Sequence, residues 1–497
     1  MNAERPSVGC RHPIPTASAP ASELSTLVQR ESVNHPPGTS GVHLLEHGDA
    51  AFHSRLALCR AAERTLDIQY YLWEPDATGV TLMSNVLSAA DAGVRVRILL
   101  DDVHVRGKDR VIALVDMHPN VEIRLFNPFP DRGGWSFRAL TNLERLNHRM
   151  HNKVFVADGA AAIVGGRNIA DDYFGVNTSA NFRDLDLLVA GPVVRKFSRS
   201  FDDYWESPWA VPVASLIGRR LGGSGGDRYR WFVARRLGRR RRFPYAETML
   251  PEEALRWLET VFLSLTWDKT EALVDPPAKV GGQEASVIQR RLDSLVASVR
   301  RELLIETAYL IPTRAGLDRL RGLLERGVRV RVLTNSLSSN DVLAAHAGYA
   351  RFRRELLAIG VELYEMRPDA REIARGWRPL AFRSKSALHT KTIVFDRKKV
   401  LVGSLNLDPR SLAINTEVAL LCHSPGLSAS VARFMDAGVR PENAYRVRLA
   451  DSDMGGGLLW TLDFGTRRRV YRHDPRAGIW KRLGAALIGM LPFEEQL

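Results

Sequence analysis

The sequence predicts an α/β fold made of two similar halves, each with a mixed, largely parallel sheet flanked by helices. Three observations predict it. Apolar patterns of helical and strand period alternate along both halves. Whole segments also recur, Gly93-Val-Arg-Val-Arg-Ile-Leu-Leu as Gly327-Val-Arg-Val-Arg-Val-Leu-Thr, and Val121-Glu-Ile-Arg-Leu as Val361-Glu-Leu-Tyr-Glu. A chain of 497 residues is long enough to bury two cores. Halves related by a pseudo-two-fold axis would bring their equivalent strands together at one interface.

Residues 1–40 are expected to form a disordered leader, because Pro6, Pro13, Pro15, Pro20, Pro36 and Pro37 interrupt any regular pattern. The first domain is assigned to 41–195. In it, apolar spacing predicts a helix from Ala51 to Arg64, a strand from Leu66 to Trp73, a helix from Thr81 to Ala92 and a strand from Val94 to Leu100. A basic connecting segment follows at 196–285. The second domain, 286–424, repeats the order with a helix Ile288–Arg300, a strand Glu302–Leu310, a helix Gly316–Arg326 and a strand Val328–Thr334. Residues 425–497 form a C-terminal extension. Its Trp480-Lys-Arg-Leu-Gly-Ala-Ala-Leu-Ile-Gly-Met-Leu-Pro run predicts an amphipathic helix ending before Pro492, placed either in a membrane interface or against the second domain.

The repeat carries chemistry. His151-Asn-Lys153-Val-Phe-Val-Ala-Asp158 is matched by His389-Thr-Lys391-Thr-Ile-Val-Phe-Asp396, with one constant offset between the His, Lys and Asp positions. Downstream, Gly165-Gly166-Arg167-Asn168 is matched by Gly403-Ser404-Leu405-Asn406 at the same offset. A lone His-x-Lys on a strand is usually a half-exposed surface pair. Preservation of the His, Lys, Asp and Asn positions and of the first glycine reverses that reading.

Transfer at a phosphodiester needs a nucleophile, a proton donor for the leaving oxygen, and cations or N–H groups around the other oxygens. Histidine, titrating near neutrality, serves as nucleophile or acid. His151 and His389 are therefore the candidate catalytic pair, with Lys153, Asp158, Lys391 and Asp396 beside them. Lys153, Asn168, Lys391, Ser404 and Asn406 are the expected phosphate contacts. Alternation puts His151, Lys153 and Phe155 on one strand face. Asp184, downstream of His151, and Glu417, downstream of His389, are candidates to orient the imidazoles. No metal is expected, since protonated lysine has no lone pair to offer and the spacing matches no zinc template.

The net charge is +14, and Arg219–Arg242 holds ten arginines against the single acid Asp227, with Tyr229, Trp231 and Phe232 between them. Such a segment suits an anionic membrane surface, with a nucleic acid or a solvated loop as alternatives. The three cysteines, Cys10, Cys59 and Cys422, are too scattered for a disulfide framework. No apolar run reaches the length that spans a bilayer. Gly9-Cys10 is similar to the end of a lipoprotein signal, but residues 1–8 lack its apolar core, so a lipid-anchored form would require a start further upstream.

These paired HxKxxxxD motifs resemble the signature of the phospholipase D superfamily. Several flanking stretches are similar to the bacterial cardiolipin synthase branch, above all its C type. They include Leu66-Asp-Ile-Gln-Tyr-Tyr-Leu-Trp, Leu146-Asn-His-Arg-Met-His-Asn-Lys, Val164-Gly-Gly-Arg-Asn-Ile-Ala-Asp-Asp-Tyr-Phe-Gly, Asp275-Pro-Pro-Ala-Lys and Leu491-Pro-Phe-Glu-Glu-Gln-Leu. The resemblance implies two phospholipase D-like α/β domains with the active site between them and no cofactor. It implies phosphatidyl transfer through a phosphatidyl-histidine to phosphatidylglycerol, with phosphatidylethanolamine as donor. It further implies His151 as nucleophile and His389 as acid and base, although symmetry permits the reverse. Phospholipid substrates, an accessory protein and peripheral attachment at the cytoplasmic face of the bacterial inner membrane belong to the same expectation. Nucleic acid is not an expected partner. A phosphodiesterase hydrolysing lipid, or less readily nucleic acid, and a non-catalytic membrane protein are the alternatives.

Overall fold

Alternating strands and helices pack as the apolar pattern requires. The computed structural model describes residues 21–129, 147–217, 228–229, 243–282, 284–370, 384–450 and 457–489. The first half contributes β1 (Ser40–Leu45), β2 (Thr65–Tyr70), β3 (Arg95–Asp101), β4 (Val121–Phe126), β5 (Val154–Ala157), β6 (Ala161–Gly165), β7 (Ala180–Arg183), β8 (Asp186–Ala190) and β9 (Ala210–Pro212). The second contributes β10 (Thr266–Val274), β11 (Glu302–Thr307), β12 (Arg329–Asn335), β13 (Glu362–Met366), β14 (Lys385–Leu388), β15 (Lys391–Phe395), β16 (Lys399–Gly403), β17 (Val418–His423), β18 (Ala444–Leu449), β19 (Leu458–Asp463) and β20 (Arg468–Tyr471).

In the first half β2, β3 and β4 pair in parallel, β5, β6, β8 and β1 follow antiparallel from β2, and β9 borders β4. The second half copies this with β11, β12 and β13 parallel, β15, β16, β17 and β10 antiparallel, and β18 bordering β13. β19 and β20 extend that edge. One strand joins the two sheets: β10 pairs with β1 through residues 266–268 and with β17 through residues 269–274. A separate parallel pair, β7 with β14, also crosses between halves.

Each half has its own core between sheet and helices. A third core lies between the halves, where Val154, Val156, Val164 and Leu187 meet Leu304, Val394, Val402 and Leu420. Near-continuous apolar runs in these strands explain it, since successive side chains point to opposite faces and both faces are covered. Among the described residues no helix is long and apolar enough to cross a membrane.

The predicted order of elements holds, with shifted ends. The strands expected to reach Trp73 and Leu310 stop at Tyr70 and Thr307. The helices expected from Thr81 and Gly316 begin at Ala77 and Arg314, because Asp76 and Thr313 accept N-cap bonds from Gly79 N–H and Gly316 N–H.

Three expectations need correction. The leader 1–40 is not disordered throughout: a Ser22-capped helix, Glu23–Ser32, buries Leu24, Leu27 and Val28 on one face, and its Arg30 pairs with Glu259. Residues 196–285 are not a mere connector, because the helix Val194–Trp205 buries Phe197 and Phe201, β9 closes the first sheet and β10 spans both. Residues 425–497 are not an appendage, since the helix Pro425–Gly438 packs into the inter-half core and β18 continues the second sheet. The arginine-rich stretch lies outside the described residues apart from Arg228 and Tyr229. Near the C-terminus the helix Ile479–Gly489 forms, bonded through Lys481 Nζ to Asn340 O at 3.0 Å and through its Gly489 O to Arg351 Nε at 2.8 Å.

Candidate active site

The two motif histidines stand just before their strands, where the halves meet. His151 lies shortly before β5, and its backbone N–H donates to Thr416 O of the second half at 2.9 Å. His389 lies shortly before β15, and its N–H donates to Arg183 O of the first half at 2.8 Å. Each histidine backbone is therefore pinned by the opposite half.

The side chains cross in the same way. His151 Nδ1 lies 2.9 Å from Glu417 Oε2, and His389 Nδ1 lies 2.6 Å from Asp184 Oδ2. Sequence proximity pairs each histidine with the carboxylate of its own half, and the structure corrects this: the pseudo-two-fold exchanges the partners. An ionised carboxylate only accepts, so Nδ1 of each ring carries the proton and Nε2 keeps its lone pair. That is the tautomer a nucleophile or base requires.

Lys153 and Lys391 fold back over the same point. Lys153 Nζ donates to His151 O at 2.5 Å, and Lys391 Nζ donates to His389 O while lying 3.0 Å from His389 Nδ1. Tyr71 presents its ring edge-on to His151 and Tyr173 edge-on to His389, both with centroids 4.9 Å apart. Asn168 Nδ2 donates to the Tyr173 hydroxyl at 2.9 Å. Among the described residues the Oδ1 atoms of buried Asn168 and Asn406 have no hydrogen-bond partner.

Electrostatics follow from burial of so many cations together. Both imidazoles are held well below the usual histidine range, first by burial and then by Lys153 and Lys391. Burial also pushes Lys153 down to about 7 and Lys391 down to about 8. Glu417 is pushed up to about 7 by burial, against the pull of Lys153 and of the Ser404 hydroxyl. Asp184 is raised by burial against Lys391 and Arg167. Burial thus lowers the positive charge of the pocket; a monoanion placed between the lysines would reverse this, favouring protonated lysine and one imidazolium.

Two further corrections concern candidate residues. Asp158 and Asp396, expected among the catalytic groups, sit at the far ends of their strands, roughly 20 Å from the histidines by strand rise. Asp158 accepts from the N–H groups of Glu63, Arg64 and Thr65, and Asp396 from those of Arg300, Arg301 and Glu302. Both have positive φ, 52°, in the hairpin turn, which Asp tolerates better than most residues. Ser404, expected to contact phosphate, instead gives its hydroxyl to Glu417 Oε2. At the equivalent Gly166 an added Cβ would lie 2.2 Å from Asp184 Oδ1, so glycine makes room for that carboxylate.

The sequence reading missed Tyr71, Tyr173 and Arg410. Arg410 donates to Asn147 O at 2.7 Å and depresses His151 from across the interface. Its counterpart in the first copy of the repeat is Asp172. No motif marks it, because the charge belongs to only one copy.

Comparison with known proteins places these observations in context. The family model described as "Cardiolipin synthase, PLD-like domain" matches residues 56–205 and 292–437. Cardiolipin synthase C of Escherichia coli (strain K12) is 38% identical over 466 residues, covering 92% of this chain and 96% of that protein. A cardiolipin synthase of Geobacillus kaustophilus is 26% identical, covering 84% of this chain and 72% of its own length. Among solved structures, phosphatidylserine synthase of Haemophilus influenzae Rd KW20 superposes with a TM-score of 0.58 at 13% identity, covering 95% of this chain and 100% of that chain, a likeness of fold.

Proposed function

The chain belongs to the family of cardiolipin synthases with phospholipase D-like domains, and from that membership we propose that it is a phosphatidyltransferase making cardiolipin from phosphatidylglycerol and a second phospholipid. The observation that carries the reading is the crossed pair His151–Glu417 and His389–Asp184, which supplies two oriented imidazoles for one phosphate.

His151 is the nucleophile. Arg410 adds a permanent cation that disfavours its protonation, whereas Asp186 favours protonation of His389. Nε2 of His151 attacks phosphorus, the N–P bond forms and the P–O bond to the headgroup breaks. His389 protonates the departing oxygen. Glu417 stabilises the cationic phosphohistidine ring. Neutral His389 then takes the proton of a phosphatidylglycerol hydroxyl, whose oxygen attacks phosphorus and releases His151. Lys153, Lys391, Asn168 and Asn406 hold the phosphate oxygens through both steps. The donor is phosphatidylethanolamine, by likeness to the C-type relative.

Attachment to the lipid surface is peripheral, at the cytoplasmic face of the bacterial inner membrane. The helix Ile479–Gly489 supports this, exposing Ile479, Leu483, Leu487 and Trp480, the last 82% accessible. Lys481, from the same helix, bonds next to Asp341, whose charge reaches Lys391 in the site. The Arg219–Arg242 segment and an accessory protein complete the proposed membrane contacts.

The test gives purified protein mixed vesicles of phosphatidylethanolamine and phosphatidylglycerol and follows the lipids by mass spectrometry, beside a His151→Ala control. Cardiolipin from the active protein alone is expected. Phosphatidic acid alone would move the assignment to a phospholipase.

A further inference from the structure

The two halves are copies in backbone but not in filling. In the second half a cavity of about 100 Å³ lies between the sheet and the helices Val287–Ser298 and Arg314–Glu325. Its walls are aliphatic, including Leu292, Leu310, Ile393, Leu407 and Leu412. The Asp293–Arg319 ion pair, at 3.0 Å, lies at its rim.

Equivalent positions in the first half are occupied. Superposing the repeat sets Gln289 against Phe52, Leu310 against Trp73, Ile393 against Phe155 and Leu412 against Phe174. The register is fixed by matched isolated bridges, Trp73 with Ile169 and Leu310 with Leu407. Phe52 and Phe174 pack edge to face at 5.9 Å and are buried, as is Phe155. The same backbone thus accommodates aromatic rings where the second half has smaller aliphatic or polar side chains.

A second difference connects the cavity to the chemistry. In the first half, Arg55 pairs with Asp186 at 2.8 Å and donates to the Tyr70 hydroxyl at 3.1 Å, and the charge of Asp186 reaches Lys153. Strand pairing equates Gly165–Asp186 with Gly403–Ala419. Arg55, Tyr70 and Asp186 therefore become Leu292, Thr307 and Ala419. A small hollow remains there, of about 10 Å³, lined by Lys391, Thr307, Gly403 and Ala419, and it shares Ile393 and Leu407 with the larger cavity. Lys391 and Ile393 lie on one face of β15, about 7 Å apart.

We propose that this cavity receives a segment of one fatty acyl chain of the phospholipid whose phosphate is held at Lys391. The proposal rests on the phospholipid reading and adds to it a specific half and a specific path. A pocket walled by leucine and isoleucine favours hydrocarbon over water, as an enclosed cavity of ~150 Å³ accepts benzene. A segment a few carbons long fills this one. The chain enters beside Lys391, where Leu292 and Ala419 replace the Arg55–Asp186 pair and Glu306 is, among the described residues, the one carboxylate lining the hollow, and passes Ile393 and Leu407. The first half, closed by the Arg55–Asp186 pair, takes no chain at the equivalent place.

The experiment fills the cavity with the first half's own residues, Gln289→Phe together with Ile393→Phe. Turnover of dioleoyl phospholipids is expected to fall about tenfold, the worth of roughly two buried methylenes. Hydrolysis of bis(4-nitrophenyl) phosphate, which has no acyl chain, stays within about twofold and thermal stability rises, as removal of a void requires. Unchanged dioleoyl turnover in a stabilised variant overturns the proposal, as does an equal loss on both substrates. Independently of any variant, the wild-type chain is irradiated on vesicles of phosphatidylethanolamine, the donor lipid, bearing an acyl diazirine. Adducts on peptides from 288–296 and 310–320 are expected; adducts confined to other surfaces reject the cavity. Cardiolipin formation by the wild-type chain scores the functional reading separately, since crosslinking needs no turnover.

Discussion

Ser404 and Gly166 hold equivalent positions but treat their carboxylates differently. Ser404 gives Glu417 a hydroxyl, which restrains the rise of its pKa to about 7. Glu417 must be ionised to accept from His151 Nδ1, so activity rises as pH rises through its titration. Ser404→Ala raises that pKa further, and the acid limb of the pH–rate profile is expected to move to higher pH; an unmoved limb would refute the role. Gly166→Ser drives a Cβ to 2.2 Å from Asp184 Oδ1 and displaces the support of His389. A fall of about a hundredfold in kcat is expected, as for a misplacement of roughly 1 Å. Lys153 carries a stability consequence as well. Its pKa falls from 10.5 to about 7 on folding, so between these values the unfolded chain binds more protons and stability climbs with pH. Lys153→Met therefore raises the melting temperature more at pH 6 than at pH 10, while abolishing turnover. The histidines, lysines and asparagines were legible as a repeat, but the crossed partners were not. Linear distance ties Asp184 to His151, whereas the interface ties it to His389.

At the level of elements, the motif aspartates show why repeated spacing misled. Asp158 and Asp396 recur in step with the histidines because both halves need the same hairpin, with the same three backbone N–H groups capped at the start of β2 and β11. Repetition preserves fold as strictly as it preserves chemistry. Asp158→Ala is expected to cost about 2 kcal/mol, the scale of hydrogen bonds to a charged acceptor, with kcat of the folded protein retained. Urea denaturation beside active-site titration checks both parts. The alternating pattern located the principal helices and strands, since burial on one face writes period into sequence. It missed the helix Glu23–Ser32, hidden among prolines, and the ends set by the Asp76 and Thr313 caps.

For the whole molecule, the functional unit is the pair of halves. Each histidine finds its carboxylate only across the interface, and the valine-rich faces of β5, β6, β15 and β16 are buried together there. A chain truncated after residue 217 would expose that apolar face and leave His151 without Glu417; it is expected to aggregate and to show no turnover. Sequence reading found two domains but divided them too early, because the segments after each sheet, Val194–Trp205 and Pro425–Gly438, carry no motif although both pack into the shared core.

One strand gives this architecture its mechanical character. β10 is hydrogen-bonded to β1 along three residues and to β17 along six, so it acts as a splint laid across the joint. Swinging the halves apart would tear backbone ladder bonds on one side or the other. Resistance to hinge opening is thus written into the backbone itself, and the register of β10 helps to keep each histidine opposite the carboxylate that the other half supplies.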